Sequence, residues 1–405
     1  MQGASPATLA GRHIVFFNWR DTTNPEGGGS ERYVEAMARG VVAHGGRATI
    51  FCAAHDQAPA DEVIGGVEFV RRGNHVAIYL IGALRLLLGT FGKVDLVVDV
   101  QNGLPFFTRL VTRAPVVVLV HHVHREQWPI VYPGLVGRLG WWIERILAPW
   151  LYRRSQYIAV SRATRGELIA LGIGQDRIAV IHNGTSPPPA VEHTRSTQPT
   201  LCVLGRLVPH KQVEHAIDAV VALRETHPDA HLIVVGNGWW DADLSEYVAK
   251  EGAADFVTFT GHVSERRKHE ILAQSWLMLL PSLKEGWGIV VGEAGSQGVP
   301  TIAYSTAGGT RESISHDKSG LLVDTPAAFT EAVRRLVEDD AERERLGRGA
   351  HAMSHTFSWA HSQGSFVHVL SEVLKGERVS SEDPDGPSPV DQRKRSWRRT
   401  GRVAN

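Results

Sequence analysis

Cysteine is scarce, net charge is absent and no apolar run is long. Cys52 and Cys202 are the only cysteines. Each lies in an apolar run (ATIFC and TLCVLG), so both read as buried, reduced thiols of a cytoplasmic protein, and no disulfide framework exists. Lys and Arg together number 43, as do Asp and Glu. That balance gives no ground for a nucleic-acid partner, and an anionic ligand would have to be met by a local patch. The longest apolar run, Val76 to Leu88 (VAIYLIGALRLLL), is interrupted by Arg85 and falls short of the ~20 residues that span a bilayer. It reads as a buried helix. The N-terminus, MQGASPATLAGRHIVFFN, lacks a cationic start and a long apolar stretch, so it does not resemble a secretion signal and a cytoplasmic location is expected.

What is present is the composition of a soluble globular protein, 43% hydrophobic and 21% charged, in a chain of 405 residues that exceeds one ordinary core. Short β-rich runs alternate with helical stretches: HIVFFN, RATIFCAA, VDLVVDVQN, APVVVLVHH, QYIAVS and IAVIHNG in the first half. Such alternation implies βαβ units and parallel sheets buried on both faces. The stretch SPPPAVEHTRSTQP has no apolar period and marks a linker, after which the alternation resumes with TLCVLG, HLIVVGNG, FVTFTGHV, LMLLPS and TIAYS. The expected organisation is a Rossmann-like domain over 12–185, a linker over 186–199, a second Rossmann-like domain over 200–352 with a late helix over 329–346, and a returning helix over 353–375. Residues 376–405 are too polar and proline-rich to build a core. Six bases there (Arg393, Lys394, Arg395, Arg398, Arg399, Arg402) surround Trp397. A solvated tail is the plainer reading and weak contact with an anionic membrane the sharper one.

Several elements fall at the carboxyl ends of expected strands, where doubly wound sheets bind ligands. In PEGGGSER, Gly28 and Gly29 precede a helix whose free N–H groups could hold a phosphate or sugar oxygen. In GRLVPHK, Arg206 and Lys211 could clamp a diphosphate, Arg as a planar fork and Lys as a mobile point charge; the plain alternative is two solvated surface charges. In KEGWGIVVGEAGSQG, Glu285 lies in a loop and Glu293 about one turn into the helix that follows. Glu285 could then reach hydroxyls in a cleft, and Glu293 could accept two hydrogen bonds from a ribose diol or merely offset the helix dipole. In STAGGTRESI, Gly308, Gly309 and Thr310 could offer backbone and hydroxyl donors to an anion. The strand VVVLVHHVH ends in histidines; His121 suits a polar ligand contact, and His122 with His124 lack a third zinc ligand at metal-site spacing, so no metal is expected. Asp241 and Asp243 open a helix, so N-capping explains them better than metal binding.

Taken together, these elements resemble glycosyltransferase family 4, retaining enzymes with two facing Rossmann-like domains and an interdomain cleft, the GT-B fold. The likeness covers about residues 12 to 375 and is most specific in LPSLKEGWGIVVGEAGSQGVPTIAYSTAGGTRE, which resembles that family's E-x(7)-E motif and glycine-rich phosphate loop. The resemblance implies that Glu285 lies near the transferred sugar, that Glu293 binds the nucleotide ribose and that Arg206 and Lys211 hold the diphosphate. It places Gly28, Gly29, Gly286, Trp287, Gly288, Ile289, Gly309 and Thr310 on the donor, His121 beside the donor sugar and Asn102 on the acceptor side. It further implies transfer of a hexose-type sugar from a nucleotide-diphosphate sugar to a hydroxyl of a glycan, glycolipid or small molecule, without metal or cofactor. Gln212 stands where the family often has Gly, Trp287 where it often has Phe, and GEAGSQG where an EAMAxG-like helix is usual; these departures bear on donor preference and packing. The alternatives are a nucleotide-sugar epimerase or hydrolase of the same fold, or a non-catalytic sugar-nucleotide-binding protein. A dehydrogenase fits less well, because GGGSER is not G-x-G-x-x-G and the second strand ends at Cys52 rather than an acid. The stretch GRLGWWIERILAPWLYRR could form a membrane-facing stripe through Trp141, Trp142, Ile146, Trp150 and Leu151, although an amphipathic helix packed on its own sheet is the plainer expectation. Peripheral contact with the inner membrane face is the expectation that goes with that stripe.

Overall fold

The computed structural model describes residues 8–380 apart from residue 193, so the basic tail around Trp397 lies outside the described residues. The first domain is an eight-stranded sheet: β1 (His13–Phe17), β2 (Arg47–Cys52), β3 (Asp61–Ile64), β4 (Val67–Arg71), β5 (Leu96–Gln101), β6 (Val116–Val120), β7 (Gln156–Ala159) and β8 (Ile178–Val180). Its order is β3-β4-β2-β1-β5-β6-β7-β8, parallel except for the β3–β4 pair. The second domain is six-stranded: β9 (Thr200–Leu204), β10 (His231–Val235), β11 (Val257–Gly261), β12 (Leu277–Leu280), β13 (Thr301–Tyr304) and β14 (Gly320–Val323), in the order β11-β10-β9-β12-β13-β14 and parallel throughout. The continuous apolar runs are central strands covered on both faces: every residue of β1, β5, β6, β9 and β12 is buried.

The helices of the first domain are α1 (Gly29–Ala43), α2 (Ala77–Leu87), α3 (Gln127–Val131), α4 (Leu135–Trp142), α5 (Ala148–Leu151) and α6 (Arg162–Ala170), with a π-helical turn, Ile143–Leu147, between α4 and α5. Those of the second are α7 (Val213–Leu223), α8 (Asp241–Lys250), α9 (Glu265–Gln274), α10 (Ile289–Ser296), α11 (Thr310–Ser313), α12 (Pro326–Glu338) and α13 (Asp340–Ser354). The last helix, α14 (Trp359–Leu374), returns to the first domain. There Phe366 stacks on Phe16 at 5.9 Å, and Gln363 donates to the Ala36 carbonyl at 2.9 Å. Complete burial of Phe366 contributes on the order of 2–3 kcal/mol, so the crossing helix is held by core packing.

Four details differ from the sequence reading. The β3–β4 hairpin was not expected: Gly65 and Gly66, both at positive φ (59° and 81°), make the two-residue turn whose twist suits a hairpin. The edge strand β14 was also not expected. The long helix read over 329–346 is two helices, broken at Asp339, whose carboxylate accepts the Glu342 N–H and caps α13. Finally, the apolar run at 76–88 is not a buried helix. Only Ile78, Gly82 and Leu86 of α2 are buried, and its other face points to solvent.

Candidate active site

The loops carrying Gly28 and Gly29, Arg206 and Lys211, Glu285, and Gly309 follow the carboxyl ends of strands and meet where the two domains face each other. Gly28 is the extended N-cap of α1, and its N–H donates to the Glu31 carboxylate at 2.7 Å. A Cβ on Gly28 would lie 3.6 Å from Arg206 Nε, and one on Gly29 would press on Ile289 Cδ1 at 3.1 Å, so the glycine loop of the first domain abuts the second. At Gly286 the approach is closer still, because a Cβ there would collide with the main-chain oxygen of His121. Residues of both domains thus meet backbone to backbone, which requires glycine.

Lys211 and Glu285 are brought together: Lys211 Nζ lies 2.6 Å from Glu285 Oε1, and Ser282 Oγ donates to the same oxygen at 2.7 Å. The Glu285 backbone ties its loop to the glycine-rich turn, donating to Ala307 at 2.7 Å and accepting from the Gly309 N–H at 2.9 Å. Glu293 is buried on α10 and holds two cations on one oxygen, Oε1: Arg32 Nη1 at 2.5 Å and Lys268 Nζ at 2.7 Å. Arg32 Nη2 continues to Glu265 Oε1 at 2.6 Å. Burial opposes its charge, yet Glu293 and Glu265 raise the Arg32 pKa above the ordinary value.

His121 follows the last residue of β6 and meets the Tyr33 ring edge-on, with centroids 5.4 Å apart. Burial pushes its pKa down to about 4, so the ring is neutral at pH 7. Its Nε2 is buried and makes no hydrogen bond among the described residues, which marks it as a polar atom available to a ligand. His210 is similar: burial, then Lys211 and Arg206, push its pKa down to about 3, and its Nδ1 is buried without a partner among the described residues. The rings of His122 and His124 lie 4.2 Å apart at a tilt of 34°, but both are engaged, by Gln127 at 3.0 Å and Glu144 at 3.1 Å respectively.

Thr310, Trp287 and the Asp241–Asp243 pair are placed otherwise than expected. The buried Thr310 hydroxyl donates to the Tyr304 carbonyl at 3.2 Å and is therefore committed to the turn rather than offered to an anion. Trp287 is buried between His182 and Phe357, each with centroids 4.7 Å away, and acts as packing across the domain boundary. Asn102 stands on a separate loop after β5. Asp99 pins that loop by accepting from the Phe106 and Thr108 N–H groups and the Thr108 and Tyr152 hydroxyls. Asp241 and Asp243 lie in the first turn of α8 rather than at its cap.

Arg32, Lys268, Lys284 and Glu312 were missed. Glu312 reaches across the cleft to the N–H groups of Arg162 and Ala163 at the start of α6, both at 3.0 Å, and to His182 Nε2 at 3.1 Å. Burial opposes ionisation of Glu312, but His182 and those N–H groups hold its pKa below the ordinary value. Lys284 pairs with Glu167 of α6. Only Arg32 carried a signal, its place in the first turn after the glycine loop; Lys268, within ERRKHE, reads as solvated surface.

Comparison with known proteins agrees with this geometry. Residues 27–187 match the family described as Glycosyltransferase Family 4, and residues 189–353 match Glycosyl transferases group 1. A GDP-mannose-dependent alpha-(1-6)-phosphatidylinositol monomannoside mannosyltransferase of Mycobacterium tuberculosis is 32% identical over 275 residues, 63% of this chain and 68% of that protein. A glycogen synthase of the same organism is 27% identical over 289 residues, 63% of this chain and 70% of that protein. Among solved structures, sucrose-phosphate synthase from Thermosynechococcus elongatus superposes with a TM-score of 0.77 at 16% identity, over 90% of this chain and 100% of that one. By its sequence this chain belongs to glycosyltransferase family 4, and its two facing α/β domains have the GT-B fold.

Proposed function

We propose that the chain is a metal-independent, retaining hexosyltransferase that moves a sugar from a nucleotide-diphosphate sugar to an acceptor hydroxyl. The observation that carries this reading is the convergence of the Gly28–Gly29 loop, Arg206, Lys211, Glu285 and the Gly309 turn in one cleft at the carboxyl ends of both sheets. In the proposed reaction the bond from the anomeric carbon to the phosphate oxygen breaks while the acceptor oxygen bonds to that carbon on the same face. The acceptor proton passes to a departing phosphate oxygen, leaving a glycoside and a nucleoside diphosphate. Negative charge grows on the phosphate as it leaves, and Arg206 and Lys211 would stabilise it. Lys211 would exchange its bond to Glu285 for one to phosphate, releasing that carboxylate toward sugar hydroxyls. Glu293 carries both its cations on Oε1, which leaves Oε2 to accept from a ribose diol. Neutral His121 would contact the sugar through Nε2 without adding charge.

Calorimetry with UDP-, GDP-, ADP- and TDP-sugars tests the reading, with GDP-mannose included because one relative is named for it. One nucleotide sugar should bind saturably and at least tenfold more weakly to Lys211→Ala, the loss of a charge-assisted contact. Binding of none, or indifference to Lys211→Ala, refutes the proposed donor site.

A further inference from the structure

The exposed apolar side chains are distributed unevenly. Of the large hydrophobic residues exposed among the described residues, all but Trp239 belong to the first domain. The α4–π–α5 segment accounts for six of them: Leu135, Val136, Leu139, Trp142, Ile146 and Trp150, between 49% and 80% exposed. Every other exposed side chain from 135 to 154 is an arginine: Arg138, Arg145, Arg153 and Arg154. The segment's one acid, Glu144, is fully buried and turned inward, accepting from Trp128 Nε1 at 2.7 Å and meeting His124. Inner and outer faces are therefore separated by charge as well as by polarity. The π-helical turn lies at this point, and such turns re-aim side chains within a helix.

The helix α2 repeats the pattern independently. Leu80, Leu84, Leu87 and Leu88 are 46–73% exposed, and no acid occurs between residues 69 and 94. Both α2 and the α4–α5 segment cover the same side of the first sheet, since Ile78 and Leu86 share a core cluster with Tyr152, Trp141 and Leu151. The two solvent-facing stripes thus belong to one side of the domain. That side borders the cleft: α3, which leads into α4, touches the turn carrying Lys211.

We propose that this apolar, arginine-bearing side of the first domain docks on an anionic lipid surface. Leucine and tryptophan would enter the boundary between headgroups and acyl chains, and the arginines would meet lipid phosphates, as for helices that lie in a membrane interface. Charge chooses this occupant over a protein partner without net charge, because the exposed groups of α4–α5 are cationic or apolar and none is acidic. No helix of the described residues is long and apolar enough to cross a membrane, so the contact is peripheral. The inference deepens the transfer reading by naming the surface on which an acceptor would be met.

The test is co-sedimentation of the full chain, without nucleotide sugar, on vesicles of phosphatidylcholine alone and of phosphatidylcholine with phosphatidylglycerol. The wild type should partition to the anionic vesicles, and the pairs Trp142→Glu with Trp150→Glu and Leu84→Glu with Leu88→Glu should each reduce partitioning by roughly tenfold or more. Retained donor binding by these variants would show that they fold. A third variant, with the six bases of 393–402 replaced by glutamine, separates the tail from this face and should still bind. The proposal is overturned by absence of wild-type binding, by equal binding to uncharged vesicles, by helix variants that bind like the wild type, or by loss confined to the tail variant. A dimer that Trp142→Glu with Trp150→Glu dissolves, without vesicle binding, would assign the face to a second copy instead. A wild type that binds donor but not vesicles counts against this inference alone, and a wild type that binds vesicles but no donor counts against the transfer reading alone.

Discussion

Arg32 joins the two domains through the carboxylate proposed to hold the ribose, and replacing it by methionine tests both roles. Its guanidinium makes two charge-assisted bonds to the second domain, to Glu293 at 2.5 Å and Glu265 at 2.6 Å. A hydrogen bond to a charged group contributes about 1.5–3 kcal/mol when well buried. The Arg32 side chain is 34% exposed, so screening reduces the pair to about 1–2 kcal/mol in all, a factor of roughly 5–30 in binding. Arg32→Met should therefore weaken nucleotide-sugar binding by that factor in calorimetry. It should also widen the ligand-free particle in small-angle scattering, because the bond that spans the cleft is gone. Arg32→Lys should fall between, since an ammonium group lacks the fork that meets two carboxylates. In the double variant with Glu293→Gln the two losses should be less than additive, because both remove one interaction. Donor binding by Arg32→Met as tight as wild type, or tighter, would refute the reasoning and make Arg32 a competitor of the ribose.

Three further outcomes follow from named contacts. Gly286→Ala should reduce donor binding and turnover at least tenfold while far-ultraviolet circular dichroism stays native, since the new Cβ meets the rigid main chain of His121 across the cleft; near-wild-type turnover would contradict that close approach. His121, with its pKa near 4 when folded, contributes stability that is complete above about pH 6.5 and is lost as pH falls toward 4, up to about 3 kcal/mol. His121→Asn should thus flatten the fall in melting temperature over that window, and parallel pH profiles would argue against it. Gln212 has a left-handed backbone, φ 48° and ψ 45°, so Gln212→Gly should leave stability unchanged or raise it by up to about 1 kcal/mol in urea unfolding; a lower midpoint would show that the side chain matters more than the backbone.

Much of this architecture was legible without coordinates, for a physical reason. Parallel strands covered on both faces need near-continuous apolar runs, and VVVLV, LCVL and LMLL are such runs. The glycines and bases that follow them in the chain are held at the strand ends by covalent connection alone, which made the donor-side loops readable. Short edge elements escaped: β3 and β14 are four residues each and take their pairing from neighbours rather than from a strong pattern of their own. The helix at 76–88 was misjudged because its apolar residues occupy nearly the whole circumference, and only packing reveals which face meets the sheet.

The sequence by itself determined the two α/β halves, the glycine loops and the placing of Arg206, Lys211, Glu285 and Glu293 beside a cleft. Tertiary structure decided the pairings across it. Arg32 and Glu293 are 261 positions apart, and Glu312 lies 130 positions from His182. Spacing along the chain governs side chains within one helix or strand, but a bond between domains depends on how two sheets face each other. That orientation is fixed by Trp287 between His182 and Phe357, by the Gly286 contact and by the return of α14, each joining residues remote in sequence.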